Sequence, residues 1–345
     1  MKALLISNPN STTQTPELFS AIIPKLRSVP GLHLRAQFTH YAGHARNMCQ
    51  GLTRADYDIV IVVGGDGTIN EVINGLLGNH DTVPHYADIP ALALIPTGSA
   101  NVCARALGFP SEPQQAVDVL VETLVANLRR RIDLGRWNEG WFAVNAGFGL
   151  DAEVIARMER VRRQGFAATP LRYMRLSLQA LKTIDAHPPR IAVTATDAQG
   201  RVSKHRRMPL LMVSNTNPWT FFGPLPMVTN PRNSFDVGLS LFGIETFDGV
   251  VGLFAALQMF GMNLPSWLAN WVSSSTYAFD DAFEIKIHCD RAHQFQIDGE
   301  YAGEYQDVHM RAVADAIEVF SPTKPVATTP RSILRLLFSF FSLRL

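Results

Sequence analysis
Gly64, Gly65 and Gly67 surround Asp66 at the end of the apolar run Ile59 to Val63. Thr68 follows at the head of a helical pattern made by Ile69, Val72, Ile73, Leu76 and Leu77. Glycine permits backbone angles and a close approach that any Cβ would block. A helix starting at such a turn points free N–H groups and its positive dipole end at whatever the turn holds. Those groups suit phosphate oxygens. A carboxylate is a poor neighbour for phosphate unless a cation lies between them, so Asp66 points to Mg²⁺ carried with a nucleotide. The same aspartate could be a helix cap and nothing more, and the glycines could serve only a tight strand-to-helix connection.

A second apolar run, Ala91 to Ile95, breaks at Pro96 into Gly98, Ser99, Ala100 and Asn101 ahead of another helical segment. A third polar turn, Asn8 to Thr12, follows the run Ala3 to Ser7. In a parallel sheet all three turns lie at the carboxyl ends of their strands, where ligands bind in open α/β folds. The plain reading of Asn8 and Pro9 is turn chemistry.

GGDGTINEVINGL, then PTGSANVCARALG, then QIDGE at Gln296 to Glu300 follow one another along the chain. Together they resemble the diacylglycerol kinase catalytic family, which includes bacterial lipid kinases and the sphingosine kinases. The similarity runs from Lys2 to about Phe320. GGDG alone is shared with NAD kinases and phosphofructokinases; QIDGE resembles the lipid kinase branch. The resemblance implies ATP contacts from Gly64, Gly65, Asp66, Gly67, Thr68, Asn70 and Glu71, from Gly98, Ser99 and Asn101, and from Asn8, Asn10, Ser11 and Thr12. Thr39, in FTHYAGHA with Gly43 and His44, is similar to another nucleotide-contacting position. Glu300 resembles the general base, with Asp298 beside it, and Asp66 would join Glu300 in catalysis. Asp133 in RIDLG and Asp236 in SFDVGLSLF resemble acidic positions around a magnesium ion, and Asp298 is a third candidate ligand. Two departures stand out: NPNST replaces NPxSG, and Val237 and Leu241 stand where relatives often carry aspartates.

Phosphoryl transfer depends on positioning, on neutralising charge over the phosphate oxygens and on a residue that accepts the acceptor's proton. The chain offers candidates for each. On residue chemistry alone Glu300 reads as a surface carboxylate, because Asp298 and Gly299 are a hairpin turn pair.

The elements that would position these residues fall into two textures. Ala3 to Ser7, His33 to Phe38, Ile59 to Val63 and Ala91 to Ile95, with helical segments between them, predict an α/β N-terminal domain. After a helix containing Ala116 to Ala126, strands are expected at Arg131 to Gly135, Trp141 to Ala146, Arg190 to Thr196, Met208 to Val213, Phe283 to His288 and Gln294 to Ile297. Without regular helical crossovers, these predict a mainly antiparallel β C-terminal domain. The expected division is a nucleotide-binding domain over residues 1–130 with a return segment at about 311–325, a β-rich lipid-substrate domain over 131–310, and a tail over 331–345. The resemblance implies the same NAD kinase/diacylglycerol kinase-like split, with the active site in the cleft between the domains.

A length of 345 residues suits two domains, and a net charge of +1 gives no overall drive toward nucleic acid. Cys49, Cys103 and Cys289 are odd in number and widely spaced, which fits buried, reduced thiols. The opening MKALLIS has too short an apolar stretch for a signal peptide. Gly249 to Phe279 carries no charge and is long enough to span a bilayer, but Gln258, Asn263, Pro265 and Asn270 interrupt it. It is expected to be buried or to dip into a membrane, with Trp267 and Trp271 at a headgroup interface or in the core. In the tail, Arg331, Arg335, Ser339 and Ser342 form a narrow polar stripe in an apolar surround, the pattern of an interfacial helix or of one docked on the protein. Arg157, Arg160, Arg162, Arg163, Arg172 and Arg175, and the smaller patch Ser203 to Arg207, are either solvated faces or attractors of anionic headgroups.

The expected activity is that of an ATP- and Mg²⁺-dependent lipid kinase, peripheral on the cytoplasmic face of the membrane, converting diacylglycerol to phosphatidic acid. Alternatives are a sphingoid-base or other lipid-alcohol kinase, a nucleotide- and lipid-binding regulatory protein without catalysis, and an NAD kinase. Nucleic acid is not an expected partner. The oligomeric state stays open, with a homodimer among the options.

Overall fold
The computed structural model describes residues 1–9, 15–79, 83–138, 140–149, 152–157, 188–222, 225–246 and 275–322. Asn10, Ser11 and Thr12, most of the apolar segment Gly249 to Phe279, the arginines from Arg160 to Arg175 and the C-terminal tail lie outside the described residues. The chain divides into two compact units. The first comprises Met1–Ala143, Phe235–Val237 and the stretch from Val313; the second comprises Val144–Ser234 and Gly238–Ala312.

The first unit alternates strand and helix: β1 (Lys2–Ser7), α1 (Pro16–Arg27), β2 (His33–Phe38), α2 (His44–Cys49), β3 (Ile59–Gly64), α3 (Asp66–Leu77), β4 (Ala91–Pro96), α4 (Val102–Ala106) and α5 (Pro113–Val125). Strands β5 (Arg129–Trp137) and β6 (Gly140–Phe142) then form an antiparallel pair. Strand order is β2-β1-β3-β4, all parallel, with Ser7 opposite both Phe38 and Val63, and Gly64 opposite Pro96. Every residue of β3 and β4 is buried, as expected of strands covered on both faces. Thr15 caps α1 by accepting a hydrogen bond from the Leu18 N–H at 3.2 Å. Helix α3 opens at Asp66, two residues before the Thr68 start that the spacing predicts. Cys49 and Cys103 are buried and unbonded to each other.

The second unit is antiparallel, as the sequence predicts. Its strands are β7 (Asn145–Phe148), β8 (Ile191–Asp197), β9 (Val202–Met208), β10 (Leu210–Ser214), β11 (Thr220–Phe222), β12 (Leu225–Met227), β13 (Leu239–Ile244), β14 (Thr276–Ile297) and β15 (Glu300–Phe320). The last strand ends in the first unit, where Val319 pairs in parallel with Leu92 of β4. Strands β13, β10 and β7 follow one another, and β14 closes the ring: its start pairs with β13 and its end with β7. Beside the ring, β14 also pairs with β15 and with β8, and β8 with the outermost strand, β9. Cys289 on β14 is buried.

Several expected strands divide differently. Trp141 to Ala146 is two strands, interrupted at Ala143 and Val144. Met208 to Val213 spans the end of β9 and the start of β10, with Pro209 between them. Phe283 to His288 and Gln294 to Ile297 belong to the single strand β14. SFDVGLSLF, read for Asp236 and for the departures at Val237 and Leu241, supplies the first part of β13. Among the described residues no helix is long and apolar enough to cross a membrane.

Candidate active site
The carboxyl ends of β1 to β4 lie along one edge of the parallel sheet, and the turns leaving them are stitched together. Asn8 donates its N–H to the Val63 carbonyl at 3.3 Å, Thr39 to Ser7 at 2.8 Å and Thr97 to Gly64 at 3.0 Å. The two glycine turns meet: a Cβ built on Gly98 would lie 2.6 Å from the Cα of Gly65, and one on Gly65 would lie 3.0 Å from the Cα of Gly98. Neither glycine can carry a side chain without parting the turns. The contact brings the second turn against the start of α3, whose first-turn N–H groups have no partner within the helix. Asn101, in the left-handed region at φ 52, closes the second turn by accepting from Gly98 N–H at 2.7 Å and donating Nδ2–H to the Gly98 carbonyl at 2.9 Å. Ser99 at its tip is exposed.

The polar side chains of α3 brace the elements around it. Asp66 accepts hydrogen bonds from the Val102 and Cys103 N–H groups at 3.0 and 2.9 Å, so it caps α4. Burial pushes its carboxyl above the usual range, against those bonds and the nearby Arg105. Burial likewise brings Arg105 down to about 10, with Asp66 pulling the other way. Glu71 accepts from Gly43 N–H at 2.7 Å and Ala45 N–H at 3.0 Å and so fixes the start of α2. Asn70 donates to the Trp141 carbonyl at 2.9 Å, and Asn74 both donates to that carbonyl at 3.1 Å and accepts from Trp141 N–H at 2.9 Å. Thr39 and Thr68 are buried. His44 Nδ1 accepts from His40 N–H at 3.1 Å, and its ring stacks on Tyr41 at 4.4 Å.

In the second unit, Asp298 and Gly299 occupy the turn between β14 and β15 at φ 49 and 80, the left-handed pair of a tight hairpin. Asp298 is buried, and its Oδ1 accepts from Val144 and Asn145 N–H at 2.8 and 3.0 Å. Gln296 accepts from Gly299 N–H at 3.0 Å and donates to Asn145 Oδ1 at 2.7 Å, while Asn145 donates to the Trp219 carbonyl at 2.8 Å. Glu300, next to this anchored turn, is exposed. One oxygen of the Asp298 carboxylate is thus held by two backbone N–H groups.

Asp133 and Asp236 come together in the first unit. Asp133 donates its N–H to the Phe235 carbonyl at 2.8 Å and accepts from Asp315 N–H at 2.9 Å. Its carboxyl is raised by burial, against the Asp315 N–H bond, and further by the charges of Asp315 and Asp236. Arg130 lies 3.4 Å from Asp236 and Arg131 2.9 Å from Asp315. Among the described residues no group of three or more His, Cys, Asp or Glu side chains is arranged to hold a metal ion. Asp298 belongs to the other unit.

Residues 2–137 match the family model of the diacylglycerol kinase catalytic domain. These residues are less than half of the chain, and over them it is similar to the diacylglycerol kinase catalytic family. It is 33% identical over 156 residues to a diacylglycerol kinase of Staphylococcus carnosus, an alignment covering 44% of this chain and 46% of that one. The chain therefore spans less than half the length of that relative. A diacylglycerol kinase of Bacillus subtilis is 27% identical over 311 residues, 88% of this chain and 90% of its own. A crystal structure of a diacylglycerol kinase from Bacillus anthracis shares the fold, with a TM-score of 0.66 at 19% identity over 94% of this chain and 98% of that one.

Within the two units the sequence hides several bracing residues. Asn74 could have been noticed as a polar residue one turn after Asn70 on an otherwise apolar helix. Asp315 and Arg105 carry no spacing signal. Asn145, a lone polar residue in an apolar run, holds the hairpin turn of the second unit and has no motif to mark it.

Proposed function
We propose that the chain is a lipid kinase that moves the γ-phosphoryl group of ATP to the free hydroxyl of diacylglycerol, giving phosphatidic acid at the cytoplasmic face of a membrane. The observation that carries this reading is the contact of Gly65 with Gly98, a cradle that any Cβ would fill, at the N-terminus of α3. Such a cradle fits a nucleotide's phosphates. Backbone N–H groups of the two turns would hold the phosphate oxygens, Thr39 and the turn after Asn8 would line the same edge, and Asp66 and Glu71 would keep α4 and α2 in place around it. Asp66 has lone pairs beyond its two backbone bonds with which to meet a nucleotide-bound cation. Mg²⁺, when bound with ATP, supplies neutralising charge for the phosphate oxygens.

Glu300 would accept the proton of the lipid hydroxyl as the new bond to phosphorus forms, a contribution of about 10² to 10⁴ in rate. The turn anchored through Asp298, Gln296 and Asn145 would fix its position. Asp133 and Asp236 would supply two carboxylates toward a structural magnesium ion, the rest of whose shell would have to come from backbone carbonyls and water. The engaged carboxylates of Asp66 and Asp298 also favour a second reading, a nucleotide- and lipid-binding regulatory protein without transfer.

Transfer of labelled phosphate from ATP to a panel of diacylglycerols, sphingoid bases and other lipid alcohols, with NAD as a control, separates these readings. Labelled phosphatidic acid is the expected product. Glu300→Gln is expected to cut turnover about 10²-fold or more while leaving ATP binding intact. Turnover at the wild-type level in that variant removes Glu300 from the chemistry, and an absence of label in every lipid removes the kinase reading.

A further inference from the structure
The second unit exposes a sheet face that the proposed chemistry does not use. Across β9, β8, β14 and β15, Lys204, Thr194, Lys286 and His309 form one cross-strand row, and Val202, Thr196, Glu284 and Arg311 form the next. The alternate residues Val193, Ala195, Ile285, Ile287, Val308 and Met310 are buried, so the two rows look outward. On β9 the inward-facing Ser203 and His205 are engaged by Tyr277 and Glu245, whereas Lys204, Arg206 and Arg207 are exposed and have no acidic partner among the described residues. The cations Lys204, Arg206, Arg207, Lys286 and Arg311 outnumber the carboxylates Glu284, Asp307 and, farther along β14, Asp290 on this face, and Glu284 is itself within 3.7 Å of Lys286, His309 and Arg311.

Apolar groups project from the same end of the face. The register of β14 against β8 slips between Ala282 and Glu284, leaving Phe283 as the extra residue of a bulge. Because Ala282 and Ile285 on either side are buried, Phe283 and Glu284 both turn outward. Phe283 is 53% exposed, and Val202, in the row of Glu284, is 56% exposed. Exposed large apolar side chains beside unpaired cations are what an anionic bilayer surface recognises: the cations meet headgroup phosphates and the apolar groups enter the acyl boundary.

We propose that this face, with Val202 and Phe283 as its apolar contacts and Lys204 and Arg206 as its cationic ones, is where the protein seats on an anionic lipid bilayer. The proposal rests on the lipid kinase reading for its purpose but not for its test. The full chain is sedimented with vesicles of phosphatidylglycerol and phosphatidylcholine, and with phosphatidylcholine alone, at low and high salt. Wild-type protein is expected to prefer the anionic vesicles and to be released by salt. Lys204→Glu combined with Arg206→Glu is expected to weaken that binding by about 30-fold or more. Phe283→Ser is expected to weaken it several-fold at both salt levels.

Circular dichroism and turnover on a short-chain diacylglycerol in detergent micelles check the fold of each variant, and a Lys204→Gln, Arg206→Gln pair replaces the charge reversal if that variant does not fold. Equal binding of wild type to both vesicle types, or of the charge variant and wild type to anionic vesicles, overturns the proposal. Loss of vesicle binding in the variants of a protein that phosphorylates no lipid leaves the surface standing and removes only the kinase reading.

Discussion
A methyl group on Gly98 would lie 2.6 Å from the Cα of Gly65, so Gly98→Ala has to push apart the two turns that form the proposed phosphate cradle. Overpacking of this kind costs about 1–3 kcal/mol. The expected result is a lower melting temperature together with ATP affinity reduced by about tenfold, read by thermal unfolding and nucleotide titration; unchanged affinity would place the phosphates elsewhere. Asp66 is the second sensitive residue, because both of its oxygens accept from the start of α4. In Asp66→Asn one of those N–H groups faces an amide NH₂, which is expected to cost about 1–2 kcal/mol and to weaken use of Mg·ATP. A destabilised variant with normal magnesium dependence would reduce Asp66 to a cap. Asp280 sets an acid limit. Burial pushes its carboxyl up, but hydrogen bonds from Asn230 and Arg232 outweigh this and hold it below the ordinary value. Its stabilisation is therefore present above the unfolded pKa of about 3.9 and lost as pH falls through the lower folded value. Asp280→Asn should flatten the loss of stability between about pH 5 and 3, a difference of about 1 kcal/mol given the solvent screening, measured by unfolding across that range.

Helix α3 is the element on which the site is assembled. Ile69, Val72, Ile73 and Leu76 are buried, while Asp66, Asn70, Glu71 and Asn74 hold α4, β6 and α2. Asn74→Ala would leave the buried N–H of Trp141 without its acceptor, a loss of about 1–3 kcal/mol, and should speed hydrogen exchange at that amide more than at β3. Equal change at both would mean global rather than local weakening. The helix and its strand were legible in the sequence because β3 is covered on both faces and so is written as one apolar run, and because α3 repeats at helical spacing. The same sequence concealed what the polar residues of α3 do, since a carboxylate that caps a distant helix and one that meets a cation look alike in one dimension. Strand β9 escaped notice because its exposed face alternates Lys204 and Arg206 with residues that are only half-buried, so no apolar period appears.

At the scale of the whole molecule the chain passes between the units at Ala143, at Phe235 to Val237 and at Val313. The two classes of sheet could be told apart in the sequence, a parallel set punctuated by helices and a later set without them. The short excursion of Phe235 to Val237 could not, because three residues are too few to carry a pattern. The first unit depends on this returning chain: the end of β15 pairs with β4 on the side away from β3, and Glu318 binds Arg54 at 2.7 Å and Arg129 at 3.2 Å. A fragment ending at Ala143 would expose that edge of β4 and lose those ion pairs, so it is expected to aggregate or to lack cooperative unfolding; a soluble, cooperatively melting fragment would show the return to be dispensable.

The buried cysteines turn this division into a measurement. Cys49 and Cys103 report on the first unit and Cys289 on the second, and burial pushes the thiols of Cys49 and Cys289 up to about 12. None should react with an alkylating reagent at neutral pH until its surroundings open. Peptide-resolved alkylation of the unmodified protein, with and without ATP, would therefore clock the opening of each unit separately, and a nucleotide gripped by the glycine turns should slow Cys103 before it slows Cys289.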